Sequence, residues 1–240
     1  DLVQEIIVVH DGECSDKTLE IAKEYTNKIF VRNHVGMMEA HLVFAFKQAS
    51  GDWILRIDAD EYIDKSDFKK IKELVCQEDL AGLIFKWEMW NGRKAVNFLG
   101  LQKMCLFKKN NYHYCGIPHE GGFVDGRVQI AGVLLHHQPT YNNLSWGSFF
   151  KKAKQWIPIH ARFYFPDMVT YEGFNISPGK WIKFTEKVRQ NLWFYIIFEP
   201  IKIFFGQLKN GQWSSLYGWQ FALQHSTYYF FLYWIIWKLK

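Results

Sequence analysis

The sequence predicts an α/β fold, and two observations carry the prediction. Up to about residue 75, short β-branched runs alternate with stretches of helical apolar spacing, the pattern of strand–helix–strand units with right-handed crossovers. The third run, Trp53-Ile54-Leu55-Arg56-Ile57, then stops abruptly in Asp58-Ala59-Asp60-Glu61. A strand that delivers carboxylates to its C-terminal edge puts them where open α/β sheets bind ligands.

The elements follow in order. Glu5-Ile6-Ile7-Val8-Val9 is β-branched throughout its apolar part and reads as a buried parallel strand ending at His10-Asp11-Gly12. Ser15 or Asp16 can cap a helix that runs to about Tyr25, with Leu19, Ala22 and either Tyr25 or Ile21 inward. Ile29-Phe30-Val31 is a short second strand, residues 37–49 a second helix stopped by Gly51, and Trp53 to Ile57 the third strand. Asp64 or Ser66 caps a helix carrying Phe68, Ile71 and Leu74 on one face. Beyond residue 80 a long strand runs from Gly82 to Trp90, turning at Asn91-Gly92, and residues 104–107 and 128–135 are further strands. From Leu144 onward the pattern is mostly helical, with Pro158, Pro166, Pro178 and Pro200 expected to divide it into short pieces.

Composition separates the same two regions. With 240 residues, 49% hydrophobic and 22% charged, the chain can bury a core. Residues 1–143 carry a net charge of −3 and residues 144–240 a net of +8, and eight of the 11 Trp lie in the second part. A basic, aromatic segment suits an anionic surface, membrane or nucleic acid. The absence of an Arg-rich face or a recognisable module argues against nucleic acid. Four cysteines without paired spacing fit reduced thiols better than a disulfide framework or a zinc site. No signal peptide is visible, and the longest fully apolar run, Tyr228 to Trp237, is too short to span a bilayer.

Four groups of residues could carry chemistry. Asp11, at the end of the first strand, can accept a hydrogen bond from a base or a ribose hydroxyl, or can simply sit in an Asp-Gly turn. Asp58 and Asp60 lie on one face of an extended chain and can address one hard cation, Mg²⁺ or Mn²⁺; the alternative is a solvated acidic turn. Glu61 points elsewhere and suits a structural part. Gly116-Ile117-Pro118-His119-Glu120-Gly121-Gly122 places a His-Glu pair on a shaped loop, where a carboxylate can act as general base or belong to an ordinary polar turn. His136-His137 follows an apolar run, and strand alternation sends the two imidazoles to opposite faces, so that one of them can complete a metal site.

Taken together, residues 5–12, Ser15 to Thr18 and Gly51 to Glu61, with the later His119-Glu120 and Leu134-Leu135-His136, resemble a family 2 glycosyltransferase of the GT-A fold. The order and spacing are nearest to the bacterial branch that contains lipopolysaccharide-core glucosyltransferases. The resemblance covers roughly residues 3–140. It implies a GT-A catalytic domain over residues 1–143, a Rossmann-like mixed sheet flanked by helices. Residues 144–240 would form a helical extension facing acceptor or membrane. It also implies that a strand, a nucleotide-contacting loop and a helix would precede Ile6, so that the chain is N-terminally truncated relative to the family pattern. His10 stands where an acid is frequent, and Glu39-Ala40-His41 where basic residues are common.

The resemblance assigns roles. Asp11 would contact the nucleotide base, Asp58 the ribose or diphosphate, and His119 would lie beside the donor. Asp60 and His136 would ligate Mn²⁺ or Mg²⁺, with His137 the lesser choice, and Glu120 would be the catalytic base. The implied reaction is inverting transfer from a nucleoside-diphosphate sugar, a UDP-sugar first among them, to a glycan or lipid-linked acceptor. It would take place in the cytoplasm, at the inner face of the cell membrane. Two rivals stay open at this level: a non-catalytic membrane-associated scaffold of the same fold, and a nucleotidyltransferase.

Overall fold

The computed structural model describes residues 2–33, 37–96, 100–176 and 178–240. It begins with β1 (Val8–Asp11), α1 (Thr18–Lys23) and β2 (Ile29–Arg32), a parallel unit in which Val8 faces Ile29 and Asp11 faces Arg32. Then come α2 (Glu39–Gln48), β3 (Trp53–Leu55), β4 (Glu61–Ile63), α3 (Phe68–Val75) and β5 (Leu80–Trp87). A hairpin of β6 (Met89–Trp90) and β7 (Ala95–Val96) turns through Asn91 and Gly92, whose φ of 87° suits glycine. β8 (Gln102–Lys108), the short pair β9 (Tyr112–His113) and β10 (Phe123–Val124), and the long β11 (Arg127–His137) complete the strands. The rest is helical: α4 (Trp146–Arg162), α5 (Gly179–Gln190), α6 (Leu192–Lys209) and α7 (Leu216–Leu239).

The main sheet has the order β3-β8-β5-β11-β4. Only β5 and β11 run parallel in it; β3–β8, β5–β8 and β4–β11 are antiparallel, so the sheet is mixed. One face packs against α3 through Ile71, Leu83, Phe85, Val133 and Leu135. The other packs against α2 through Val43, Phe46, Ile54 and Phe107. The C-terminal helices build a further core around Ile117, which comes from the His119-Glu120 loop. That packing ties the loop to α4–α7.

Three local expectations change. The first strand starts at Val8 rather than Glu5 and is only half-buried, with Ile6 41% exposed, because β1 and β2 form their own two-stranded sheet. Glu5 serves as a clamp instead. It accepts hydrogen bonds from Ser50 N (2.7 Å) and Gly51 N (3.1 Å) and pairs with Lys28, which holds its carboxyl down at about 2. In α1, Leu19 and Ala22 turn inward while Ile21 faces solvent, and the helix ends at Lys23, leaving Tyr25 beyond it and exposed. Finally, Pro158 and Pro200 lie inside α4 and α6 without ending them. An internal proline costs about 3 kcal/mol, and burial of Ala153, Ile157, Tyr195 and Ile196 against the helical core outweighs it. Ser145 and Ser215 cap α4 and α7, accepting from Ser148 N and Gly218 N at 3.0 Å each.

Candidate active site at the sheet edge

The acidic segment leaves β3 beside β8. Arg56 N donates to Cys105 O at 2.7 Å, which carries the chain across to Lys103. Lys103 Nζ lies 2.7 Å from Asp58 Oδ2 and 2.6 Å from Glu61 Oε2. The Glu61 side chain is fully buried and also accepts from Trp87 Nε1 and Asp58 N, both at 2.9 Å. Glu61 is therefore structural: it fixes the lysine and the backbone that present Asp58. Lys103 offsets the repulsion among these acids, and nothing in the local sequence points to it.

Asp60 points elsewhere. Its backbone carbonyl is held by Gln138 N at 2.8 Å, and its Oδ2 lies 3.4 Å from His137 Nε2. Hydrogen bonding to His137 pulls the Asp60 carboxyl below its usual range against the opposing effect of burial, and Lys152 adds to the field. The histidine at Asp60 is thus His137, not the His136 that the resemblance points to. His136 stacks on Tyr62, with Glu88 and Asp64 each 3.1 Å from one ring nitrogen. Burial alone would lower its pKa, but the two carboxylates prevail and raise it. Register decides the matter: β11 pairs His137 with Glu61 and His136 with Tyr62, so alternation sends His137 inward over Asp60. Trp87 stacks on the buried His137 ring at 4.8 Å.

No group of three or more His, Cys, Asp or Glu able to hold a metal ion occurs among the described residues. The donor set at Asp60 is one partly exposed carboxylate and one imidazole, and Asp58 is already engaged by Lys103. Such a set fits a divalent ion that takes most of its ligands from phosphates and water, as Mg²⁺ does, and not one caged by protein.

Asp11 and His119 are joined through the start of α2. His41, itself buried, holds Asp11 Oδ1 at 2.7 Å. Glu39 Oε1 accepts from His119 N at 3.0 Å. The Glu39-Ala40-His41 segment, which departs from the usual basic pattern, thus links the first strand to the loop.

The loop itself is sterically specified. Gly116 has a φ of 69°, and a Cβ there would lie 2.7 Å from Glu172 O. A Cβ at Gly122 would lie 2.3 Å from the Tyr112 ring. His119 takes a positive φ of 60° and contacts Trp156 and Tyr228, with ring centroids 5.1 and 5.0 Å away. Glu120 opens into a cavity of about 430 Å³ between the loop and α5–α7. Burial raises its pKa to about 7, and its carboxylate accepts no hydrogen bond among the described residues. Beneath the loop, burial pushes His160 down to about 3; its Nδ1 faces Tyr228 Oη at 3.2 Å and its Nε2 has no partner.

A mixed sheet flanked by helices, with acids at one edge and a shaped His-Glu loop, is consistent with the GT-A fold. Residues 1–171 match the family described as Glycosyl transferase family 2, and the chain belongs to it. It is 34% identical, over 96 residues, to the poly(ribitol-phosphate) beta-N-acetylglucosaminyltransferase TarS of Staphylococcus aureus strain Mu50, a match covering 37% of this chain and 16% of TarS. It is 41% identical, over 64 residues, to an uncharacterized glycosyltransferase of Rickettsia felis, covering 27% of this chain and 22% of that protein. The chain therefore spans about a fifth or less of the curated relatives it matches.

Proposed function

We propose that the protein transfers a sugar, with inversion, from a nucleoside-diphosphate sugar, a UDP-sugar first, to a hydroxyl of a glycan or lipid-linked acceptor. One observation supports the reading most directly: a carboxylate, Glu120, raised by burial to about 7 and without a hydrogen-bond partner for its side chain among the described residues, opens into a cavity on the His119-Glu120 loop. A general base works best with a pKa near the operating pH.

In this mechanism Asp11, steadied by His41, contacts the nucleotide base. Asp58, steadied by Lys103, holds the ribose or diphosphate through its second oxygen. Glu120 takes the proton of the acceptor hydroxyl. The acceptor oxygen bonds to the anomeric carbon from the face opposite the diphosphate. The bond from that carbon to the diphosphate oxygen breaks, and its electron pair leaves with the nucleoside diphosphate. Asp60 and His137 would hold Mn²⁺ or Mg²⁺ with the diphosphate, and the ion would neutralise charge on the leaving group. The name of TarS suggests a poly(ribitol-phosphate) chain as one acceptor to try, alongside lipopolysaccharide-core glycans.

The reading also puts the protein on the cytoplasmic surface of a membrane. No helix among the described residues is long and apolar enough to cross one. Instead α6 presents a solvent-facing stripe, Trp193, Phe194, Ile197, Phe198, Ile201 and Phe205, each at least 50% exposed. Between residues 190 and 240 the sole acid is Glu199, which pairs with Lys202. An apolar stripe on a basic segment suits the interface of an anionic bilayer.

Glu120→Gln tests the central assignment. Calorimetry should show donor binding retained while transfer falls by at least about 100-fold. Turnover at the wild-type rate would remove Glu120 as the base.

A further inference from the structure

We infer that Arg56 is a positioning residue for the transfer. Through the Tyr112 hydroxyl it ties the strand that ends in Asp58 to the loop that carries Glu120, and so sets the base relative to the acidic edge. The inference rests on the assignment of Glu120 as the base and adds the device that holds it in place.

The loop is fastened on both sides of Glu120. Before it, His119 N donates to Glu39 Oε1 at 3.0 Å. After it, the Gly122 N–H donates to the Tyr112 hydroxyl, which also receives the Arg56 side chain. The approach is close: a Cβ on Gly122 would lie 2.3 Å from Tyr112 Oη, so the backbone can come this near only as glycine. The hydroxyl itself has little freedom. Tyr112 is buried, its ring stacked on Phe107 at 3.8 Å and met edge-on by Phe46 at 5.7 Å. Asn175 Nδ2 donates to the Tyr112 backbone carbonyl at 3.0 Å. Burial raises the Tyr112 pKa, so the hydroxyl is neutral at physiological pH.

Arg56 reaches this hydroxyl from β3. Ile54 packs in the same cluster as Tyr112, and strand alternation sends Arg56 to that face as well. Its backbone is pinned by the hydrogen bond from Arg56 N to Cys105 O. Asp58 lies two residues beyond Arg56, and Glu120 two residues before Gly122. The chain Arg56–Tyr112–Gly122 is thus a short bridge between the two carboxylates assigned to donor and acceptor. Arg56 Nε is buried without a partner, and an unmet buried donor costs stability. Met at this position should therefore spare the fold, which separates a positioning role from a purely structural one.

Tyr112→Phe, Arg56→Met and the double variant test the bridge in the full chain. Hydrogen exchange read by mass spectrometry follows the loop without turnover. Amides of residues 116–122 should exchange at least about tenfold faster in each single variant, with the urea midpoint of Arg56→Met no lower than wild type. Calorimetry with UDP and Mn²⁺ should show affinity within about twofold of wild type, while kcat for transfer falls about 10- to 100-fold, because geometry and not donor contact is lost. The double variant should fall no further than the slower single one, since both residues act through one bridge. Arg56→Lys, which keeps a donor, should recover part of kcat. Unchanged loop exchange in either single variant, multiplying losses of kcat in the double, or wild-type kcat in Arg56→Met would overturn the inference. A failure of Glu120 as the base appears separately, as transfer surviving in Glu120→Gln.

Discussion

Replacing Glu61 with Ala should unfold the sheet edge from within. The side chain is fully buried and receives Lys103, Trp87 Nε1 and Asp58 N. Lys103 is only 15% exposed, so without Glu61 a largely buried cation is left with Asp58 alone. Removing one partner of a buried ion pair costs about 3–5 kcal/mol. Because Asp58 remains, the lower end applies, about 3 kcal/mol. With a urea m-value of about 2–3 kcal/mol/M, the midpoint should fall by about 1 M. Glu61→Ala combined with Lys103→Met should recover part of the loss, since the stranded charge is gone. Urea unfolding followed by circular dichroism reads both. A loss below about 0.5 kcal/mol for Glu61→Ala, the range of an ordinary surface substitution, would refute the description of this cluster.

Further outcomes follow from the same geometry. Glu120 titrates near 7 when folded against 4.5 otherwise, so its contribution to stability is present below pH 4.5 and lost as pH rises through about 7. Glu120→Gln escapes that loss and should be more stable than wild type at pH 8, by up to about 3 kcal/mol, with no gain at pH 4. In the wild type, transfer should rise with pH through an apparent pKa near 7, and a flat profile from 5.5 to 8.5 would count against the base. His137→Ala should weaken Mn²⁺-dependent UDP binding about tenfold or more, whereas His136→Ala should leave it near wild type; the reverse order would return the role to His136. Phe198→Glu with Ile201→Glu should abolish co-sedimentation with phosphatidylglycerol vesicles, and unchanged sedimentation would remove α6 from the interface.

Much of the fold was legible because its signals are local. The β-branched run at residues 5–9 marked the first strand within a few residues, and the apolar run ending at Asp58 marked the sheet edge. What was hidden depends on pairing between distant segments. Alternation put His136 and His137 on opposite faces, but which of them faces Asp60 is fixed by the register of β11 on β4. Lys103 joins the acids because β8 lies beside β3, and no local pattern announces that neighbour. Glu39 and His41 looked like departures from a basic pattern; only the placement of α2 shows them bracing His119 and Asp11. The prolines misled because internal helix packing outweighs a single lost hydrogen bond.

The most direct test of a nucleotide-sugar site at this edge is calorimetric titration of UDP into the folded chain, with and without Mn²⁺. Because Asp60 and His137 offer only two protein ligands, binding should be weak without the ion, at least about tenfold tighter with it, and lost in Asp60→Ala. Equal affinity with and without Mn²⁺, or an unchanged Asp60→Ala, would contradict the metal-assisted site proposed for Asp58 and Asp60.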